Sequence, residues 1–154
     1  MIFYMEQMLR LDNQICFPLY SASRLVIQLY GPLLARHKIT YLQYLVLMVL
    51  WEKKTQTVSE LGNTLLLDSG TLTPLLKKLE ARGFVTRVRS AKDERRVDVK
   101  LTPAGRKLQI SFKSVPKELF SGLHCSVPEL TSLKKQLNKL IGSMQKTLKG
   151  GFDE

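Results

Sequence analysis

Cysteine, histidine and tryptophan are scarce in this sequence: two, two and one among 154 residues. Cys16 and Cys125 are too few for a disulfide scaffold, and no cluster of cysteine and histidine has the spacing of zinc ligands. Nothing in the pattern calls for a metal or a cofactor. Long apolar runs are missing too, so no membrane span is expected. The opening Met1–Glu6 stretch lacks the basic region and cleavage site of a signal peptide, and a cytoplasmic protein is expected. Acidic side chains are outnumbered, 13 against 24 lysines and arginines, which leaves a formal net charge of +11. That imbalance points to a polyanionic partner, nucleic acid first and an anionic membrane surface second. There is no internal repeat, and only the tail, residues 150–154, reads as disordered. The length is that of one domain with room for a core.

What is present is organised around one stretch. From Asp68 to Phe84, Leu72, Leu75, Leu76 and Leu79 recur at i, i+3, i+4 and i+7, one apolar face of a helix. Asp68 reads as its cap. Ser69, Thr71, Thr73, Lys77 and Lys78 are left for the other side. Hydroxyls early in a helix and lysines a turn or two later suit a major groove, where hydroxyls reach bases or phosphates and lysines neutralise the backbone. Pro74 predicts a local bend in a single helix, and Gly83 an end just past the C-terminus. Two segments alternating with period two follow, Val85–Arg89 and Val97–Leu101. They carry Arg87 and Arg89, and the tip between them holds Lys92, Asp93, Arg95 and Arg96. A ribbon with arginines at its tip suits a phosphate backbone or a narrow minor groove. Either piece alone reads equally well as a solvated surface; adjacent, they predict a winged helix.

The flanks are helical. Residues 8–36 carry an apolar stripe through Ile15, Leu19, Val26, Leu29 and Leu33, with Asp12 as a candidate cap. Pro18 predicts a kink, or a helix that begins near Phe17, and Gly31-Pro32 a bend or break. Thr40 with Gln43 and Thr57 with Glu60 fit capping boxes, the first opening a helix to Trp51 with little polar face, hence the buried centre. The second opens a short helix through Leu65, completing a helix-turn-helix. Thr102-Pro103 starts a helix toward Phe120 with a kink at Pro116. Ser126 with Glu129 caps a last helix striped by Leu130, Leu133, Leu137, Leu140, Ile141, Met144 and Leu148. The fold class is therefore mainly α with a small β-wing. A winged helix-turn-helix lobe over 40–101 is flanked by helices at 8–36 and 103–148, whose apolar faces suggest dimerisation.

Helices, recognition helix, wing and two C-terminal helices in this order resemble the MarR family of bacterial winged-helix regulators. Asp93-Glu-Arg-Arg followed by Leu101-Thr-Pro-Ala-Gly105 is similar to that family's wing signature. Leu11-Asp-Asn-Gln-Ile-Cys-Phe17, Ile39-Thr-Tyr-Leu-Gln-Tyr44 and Leu67-Asp-Ser-Gly-Thr-Leu-Thr-Pro74 resemble the organic hydroperoxide resistance regulators within it. The resemblance implies a homodimeric repressor on a pseudo-palindromic operator, released when a sensor cysteine, matched by Cys16, is oxidised by organic hydroperoxide. Tyr30 and Tyr41 match tyrosines that reach the sensor sulfur from the other subunit, and Arg95 matches the arginine that enters the minor groove. In one class a second cysteine near the C-terminus resolves the oxidised sensor; Cys125 is placed for that part, or is a bystander.

The residues supply a chemical reason. A thiolate attacks a peroxide oxygen, and a helix start favours negative charge. Cys16 lies beside a predicted helix start among Ile15, Phe17, Leu19 and Tyr20, apolar neighbours suited to a lipid-like hydroperoxide. By spacing alone Cys16 reads as a small core residue; the motif argues for the sensor. Two other readings compete. A MarR-type regulator released by a small aromatic ligand would still respond to that ligand after Cys16→Ser. A thiol peroxidase would turn over without DNA and would leave the wing unexplained, so an enzyme is not expected.

Overall fold

The computed structural model describes residues 7–89 and 96–151. The chain divides into two compact units, Met1–Val115 and Pro116–Glu154.

In the first unit a 3-10 turn, Leu11–Asn13, precedes helix α1, Cys16–Ala35. The helix expected from residue 8 thus starts at Cys16, and its N-cap is Ile15, not Asp12. Pro18 explains the start. At the third helical position its missing N–H is one that has no partner within the helix anyway. Of the bend or break expected at Gly31-Pro32, the break does not occur: α1 runs through both. An interior proline costs about 3 kcal/mol. Here that is offset by Leu34, 1% exposed, and by Tyr30 and Leu33 packed on the core.

Helix α2, Tyr41–Lys53, opens with the expected capping box: Thr40 Oγ1 accepts from the Gln43 N–H, and Gln43 Oε1 accepts from the Thr40 N–H. Tyr44, Val46, Leu47, Val49 and Leu50 are all buried, so α2 is the centre of the core. Strand β1, Thr55–Thr57, follows, then α3, Val58–Leu65, with the Thr57–Glu60 capping box. The turn to the next helix closes through Leu66, whose φ is 55°, and a bond from the Leu67 N–H to the Gly62 carbonyl at 3.0 Å. A Cβ on Gly62 would sit 2.7 Å from the Leu67 oxygen, so the turn needs glycine there. Helix α4, Ser69–Ala81, is one helix through Pro74, capped by Asp68. Leu72, Leu75, Leu76 and Leu79 are buried as the periodicity predicts. Each such side chain contributes about 1.5–3 kcal/mol on burial.

Strands β2, Val85–Arg89, and β3, Val97–Leu101, form the hairpin, antiparallel with Val85 opposite Leu101 and Arg89 opposite Val97. β1 pairs with the other edge of β3, giving the order β1-β3-β2. Helix α5, Pro103–Ser111, is capped by Thr102. The single kinked helix expected toward Phe120 is two: α5, then α6, Val115–Ser121. The ring of Pro116 opposes the carbonyl four residues back, so the helix restarts with proline in its first turn, where the first unit gives way to the second.

The second unit holds α7, Val127–Gly150, opened by the Ser126–Glu129 capping box. Gly150, expected in a disordered tail, ends this helix; residues 152–154 lie outside the described residues. α7 has no buried residue, and Leu133, Met144 and Leu148 are 50%, 45% and 84% exposed.

Candidate nucleic-acid interface and cysteine sites

The four leucines of α4 fix which side of that helix faces out. Ser69, Gly70, Pro74, Lys77 and Lys78 are exposed, and Thr71 and Thr73 half-buried. The predicted hydroxyls are not equally free. Asp68 Oδ1 accepts from the Thr71 N–H at 2.8 Å, and the Thr71 hydroxyl donates to Asp68 Oδ2 at 2.9 Å. The Thr71 backbone N–H, with the hydroxyl second, holds the Asp68 carboxyl below its ordinary range. These two residues therefore build the helix start. The Thr73 hydroxyl donates to the Ser69 carbonyl at 2.7 Å. Ser69, Lys77 and Lys78 project freely. Pro74 brings a feature that side-chain reading missed: it has no N–H to donate to the Gly70 carbonyl on the exposed side of the helix.

The wing is tied to α4. Arg87 Nε and Nη2 each lie 2.8 Å from Glu80 Oε2, and the Arg87 N–H donates to Glu80 Oε1 at 2.9 Å. These bonds to Arg87 hold the Glu80 carboxyl below its usual range. Arg87, among the residues expected to meet DNA, is paired with Glu80 and half-buried, whereas Arg89 at the end of β2 is exposed. Arg96 is exposed and pairs with Asp98 at 3.2 Å. Lys92, Asp93 and Arg95 lie outside the described residues. At the wing's base the Thr102 hydroxyl donates to the Gly83 carbonyl at 2.6 Å, and Trp51 Nε1 donates to the Gly105 carbonyl at 2.9 Å. A Cβ on Gly105 would fall 2.1 Å from the Phe84 oxygen. The Leu101-Thr-Pro-Ala-Gly105 motif is thus a joint between sheet and α5, a role its cap signature alone did not disclose.

Cys16 is the first residue of α1 and is exposed as a free thiol. Its N-cap makes no side-chain bond and the first turn has no acidic residue. The N–H groups there lack a side-chain partner and leave the positive end of the helix dipole unopposed. Ile15, Phe17 and Tyr20 beside it are 66%, 45% and 59% exposed. Tyr30 and Tyr41 are brought together, ring centroids 4.9 Å apart, with Tyr44 5.6 Å from Tyr30. Burial, then Tyr44 and Tyr41, push the Tyr30 hydroxyl up to about 12. Burial also raises Tyr41 and Tyr44, so all three are neutral near pH 7 and able to donate. In the second unit, Cys125 is also an exposed free thiol, its Sγ 3.2 Å from the Leu123 carbonyl. It helps line an open groove of about 680 Å³ walled by Phe120, Val127, Leu130, Leu137 and Ile141. Among the described residues, no three His, Cys, Asp or Glu side chains are grouped to hold a metal, and no helix is long and apolar enough to cross a membrane.

A capped helix-turn-helix followed by a wing defines a winged-helix DNA reader. Comparison with known proteins gives the same class. Residues 28–111 match the family model described as transcriptional regulator SarA/Rot. The organic hydroperoxide resistance transcriptional regulator of Bacillus subtilis strain 168 is 43% identical over 136 residues, 88% of this chain and 92% of that one. The reduced form of AbfR bound to DNA is 40% identical with a TM-score of 0.79, covering 93% of this chain and 97% of that one. AbfR, a protein of Staphylococcus epidermidis, is also known with its disulfide formed. In that state it is 37% identical with a TM-score of 0.62, over 92% and 99%. The chain belongs to the MarR-type winged-helix transcriptional regulators, on their organic hydroperoxide resistance branch.

Proposed function

We propose that the chain is a redox-sensing repressor. It binds a pseudo-palindromic operator as a homodimer in the cytoplasm and leaves it when organic hydroperoxide oxidises Cys16. One observation carries this reading. Both cysteines are free and exposed, each beside apolar side chains that this chain alone does not cover, in a protein related to a DNA-bound regulator that has a disulfide form. A second copy would cover the α7 stripe and the groove beside Cys125, and the disulfide reading requires that Cys16 meet the partner's Cys125. Ser69, Thr73, Lys77 and Lys78 would face the major groove, Asp68 and Thr71 would set the helix start, and Arg89, Arg96 and the wing-tip Lys92, Asp93 and Arg95 would follow the adjacent backbone and minor groove.

The chemistry proceeds in two steps. The Cys16 thiolate attacks the outer peroxide oxygen, the O–O bond breaks, and the alcohol leaves with a proton, giving a sulfenic acid. Tyr30 and Tyr41 of the partner subunit donate hydrogen bonds to this sulfur. The partner's Cys125 thiolate then attacks the sulfenic sulfur, water leaves, and a disulfide forms. The bond requires the two Cα atoms within about 7 Å, which constrains both protomers and changes the spacing of their recognition helices. The protein acts once per oxidation and is no turnover enzyme.

The test is a gel shift on the promoter next to the gene, with cumene hydroperoxide as probe, beside a non-reducing gel. Wild type should leave DNA as a covalent dimer that dithiol reverses. Cys16→Ser should stay bound. Cys125→Ser should stop at a sulfenic acid or a mixed disulfide. A covalent dimer in Cys125→Ser, or full release of wild type without one, would remove Cys125 from the mechanism.

A further inference from the structure

Behind the wing, on the first unit, lies a pocket of about 380 Å³. That is at the small end of the range for small-molecule sites. Its cations come from three separate elements: Lys54 just past α2, Lys100 on β3 and Arg106 on α5. No carboxylate is among its lining residues in the described structure. Leu50, Trp51 and Leu101 supply an apolar wall, Leu50 and Leu101 being buried. Several contacts hold this arrangement in place. Arg106 Nη1 donates to the Leu101 carbonyl at 2.9 Å, which positions the guanidinium while leaving its other donors open. The Trp51 ring is pinned through Nε1 to the Gly105 carbonyl. Lys54, the C-cap of α2, has a φ of 63°, a positive value that non-glycine residues rarely take.

We propose that this pocket binds a small organic dianion of the phosphate monoester class. Three cations without a lining acid favour a doubly charged head over a singly charged one. The forked guanidinium matches phosphate oxygens. The half-exposed indole, backed by the two buried leucines, accepts a flat apolar body. Neither the thiol chemistry nor the DNA-facing side of α4 uses these residues, so the site stands independently of the redox reading.

Trp51 is the sole tryptophan of the chain, so its emission reports on this pocket directly. Phenyl phosphate titrated into the full-length protein should change that emission saturably. Lys100→Gln should weaken the affinity about tenfold, in line with the loss of one charge-assisted bond. Lys134→Gln, on α7, should leave it unchanged. Circular dichroism shows whether Lys100→Gln is folded; if it is not, Lys54→Gln takes its place with the same expectation. Benzoate should bind more weakly than phenyl phosphate, and inorganic phosphate more weakly too. No saturable change at millimolar phenyl phosphate overturns the site, as does equal affinity in the lysine variants of the pocket. Benzoate binding as tightly overturns the dianion, and inorganic phosphate binding as tightly overturns the monoester.

Discussion

Arg87 on β2 and Glu80 on α4 are joined by both side chain and backbone: the guanidinium lies 2.8 Å from one carboxylate oxygen, and the Arg87 N–H donates to the other. The pair sets the wing against the recognition helix. Both side chains are partly exposed, so its worth is about 1 kcal/mol at most. Arg87→Ala should lower the thermal midpoint by roughly 2–4 °C. If Arg87 has a structural role only, the salt slope of operator binding should be unchanged. A slope that falls by about one would return Arg87 to the phosphate contacts.

Lys77 and Lys78 stand in contrast, exposed on the outer side of α4. Lys77→Ala and Lys78→Ala should each lower affinity and reduce the salt slope by about one, with sequence preference kept. Binding measured across a salt series on two operator variants checks both. A change in base preference would mean that the lysines read edges rather than phosphates.

Two glycines separate close approach from open space. A Cβ on Gly105 meets the Phe84 oxygen at 2.1 Å, whereas one on Gly142 meets nothing within 4 Å. Gly105→Ala should cost about 1–3 kcal/mol through overpacking of the wing joint. Gly142→Ala should stabilise by about 0.5–1 kcal/mol, because an interior helical glycine forfeits that much. Chemical denaturation of both variants is the measurement. A neutral Gly105→Ala would show that the joint yields.

The tyrosine cluster predicts an alkaline signature. Tyr30, held up to about 12 by burial and its tyrosine neighbours, keeps its proton more tightly folded than unfolded. Stability from this group is complete below the unfolded value of about 10 and falls as pH rises toward 12. Tyrosinate absorbance should show a late-titrating component whose latest part is lost in Tyr30→Phe, and that variant should lose less stability above pH 10. A wild-type titration with every tyrosine near 10 would place Tyr30 in water.

The stripe on α7 gives a test of assembly. Leu137 and Leu140 are only half-buried in one chain. If a second copy covers them, Leu137→Asp places an unpaired charge in the interface, which is strongly unfavourable. Analytical ultracentrifugation should find a monomer with helical content intact. A dimer that persists at low concentration would mean that the stripe packs elsewhere.

The sequence by itself determined whatever depends on neighbours three or four residues apart. Thr40, Thr57, Asp68, Thr102 and Ser126 all cap helices where their local pattern places them. The leucines of α4 are buried at their helical spacing, and the β2–β3 hairpin pairs across its loop. The cysteine-bearing motif by itself points to the branch of the family. Tertiary structure decided the rest. β1 is three residues long and extended only because β3 offers an open edge far along the chain, Thr57 opposite Asp98 and Thr55 opposite Lys100. Pro32 stays inside a helix because Leu34 and its neighbours are held by the core, a gain invisible in the Gly31-Pro32 dipeptide itself. Arg87 is paired with Glu80 on the neighbouring helix, and Gly105 is required by the Phe84 oxygen. In each case the deciding partner is brought in by packing or strand pairing, and local periodicity carries no term for it.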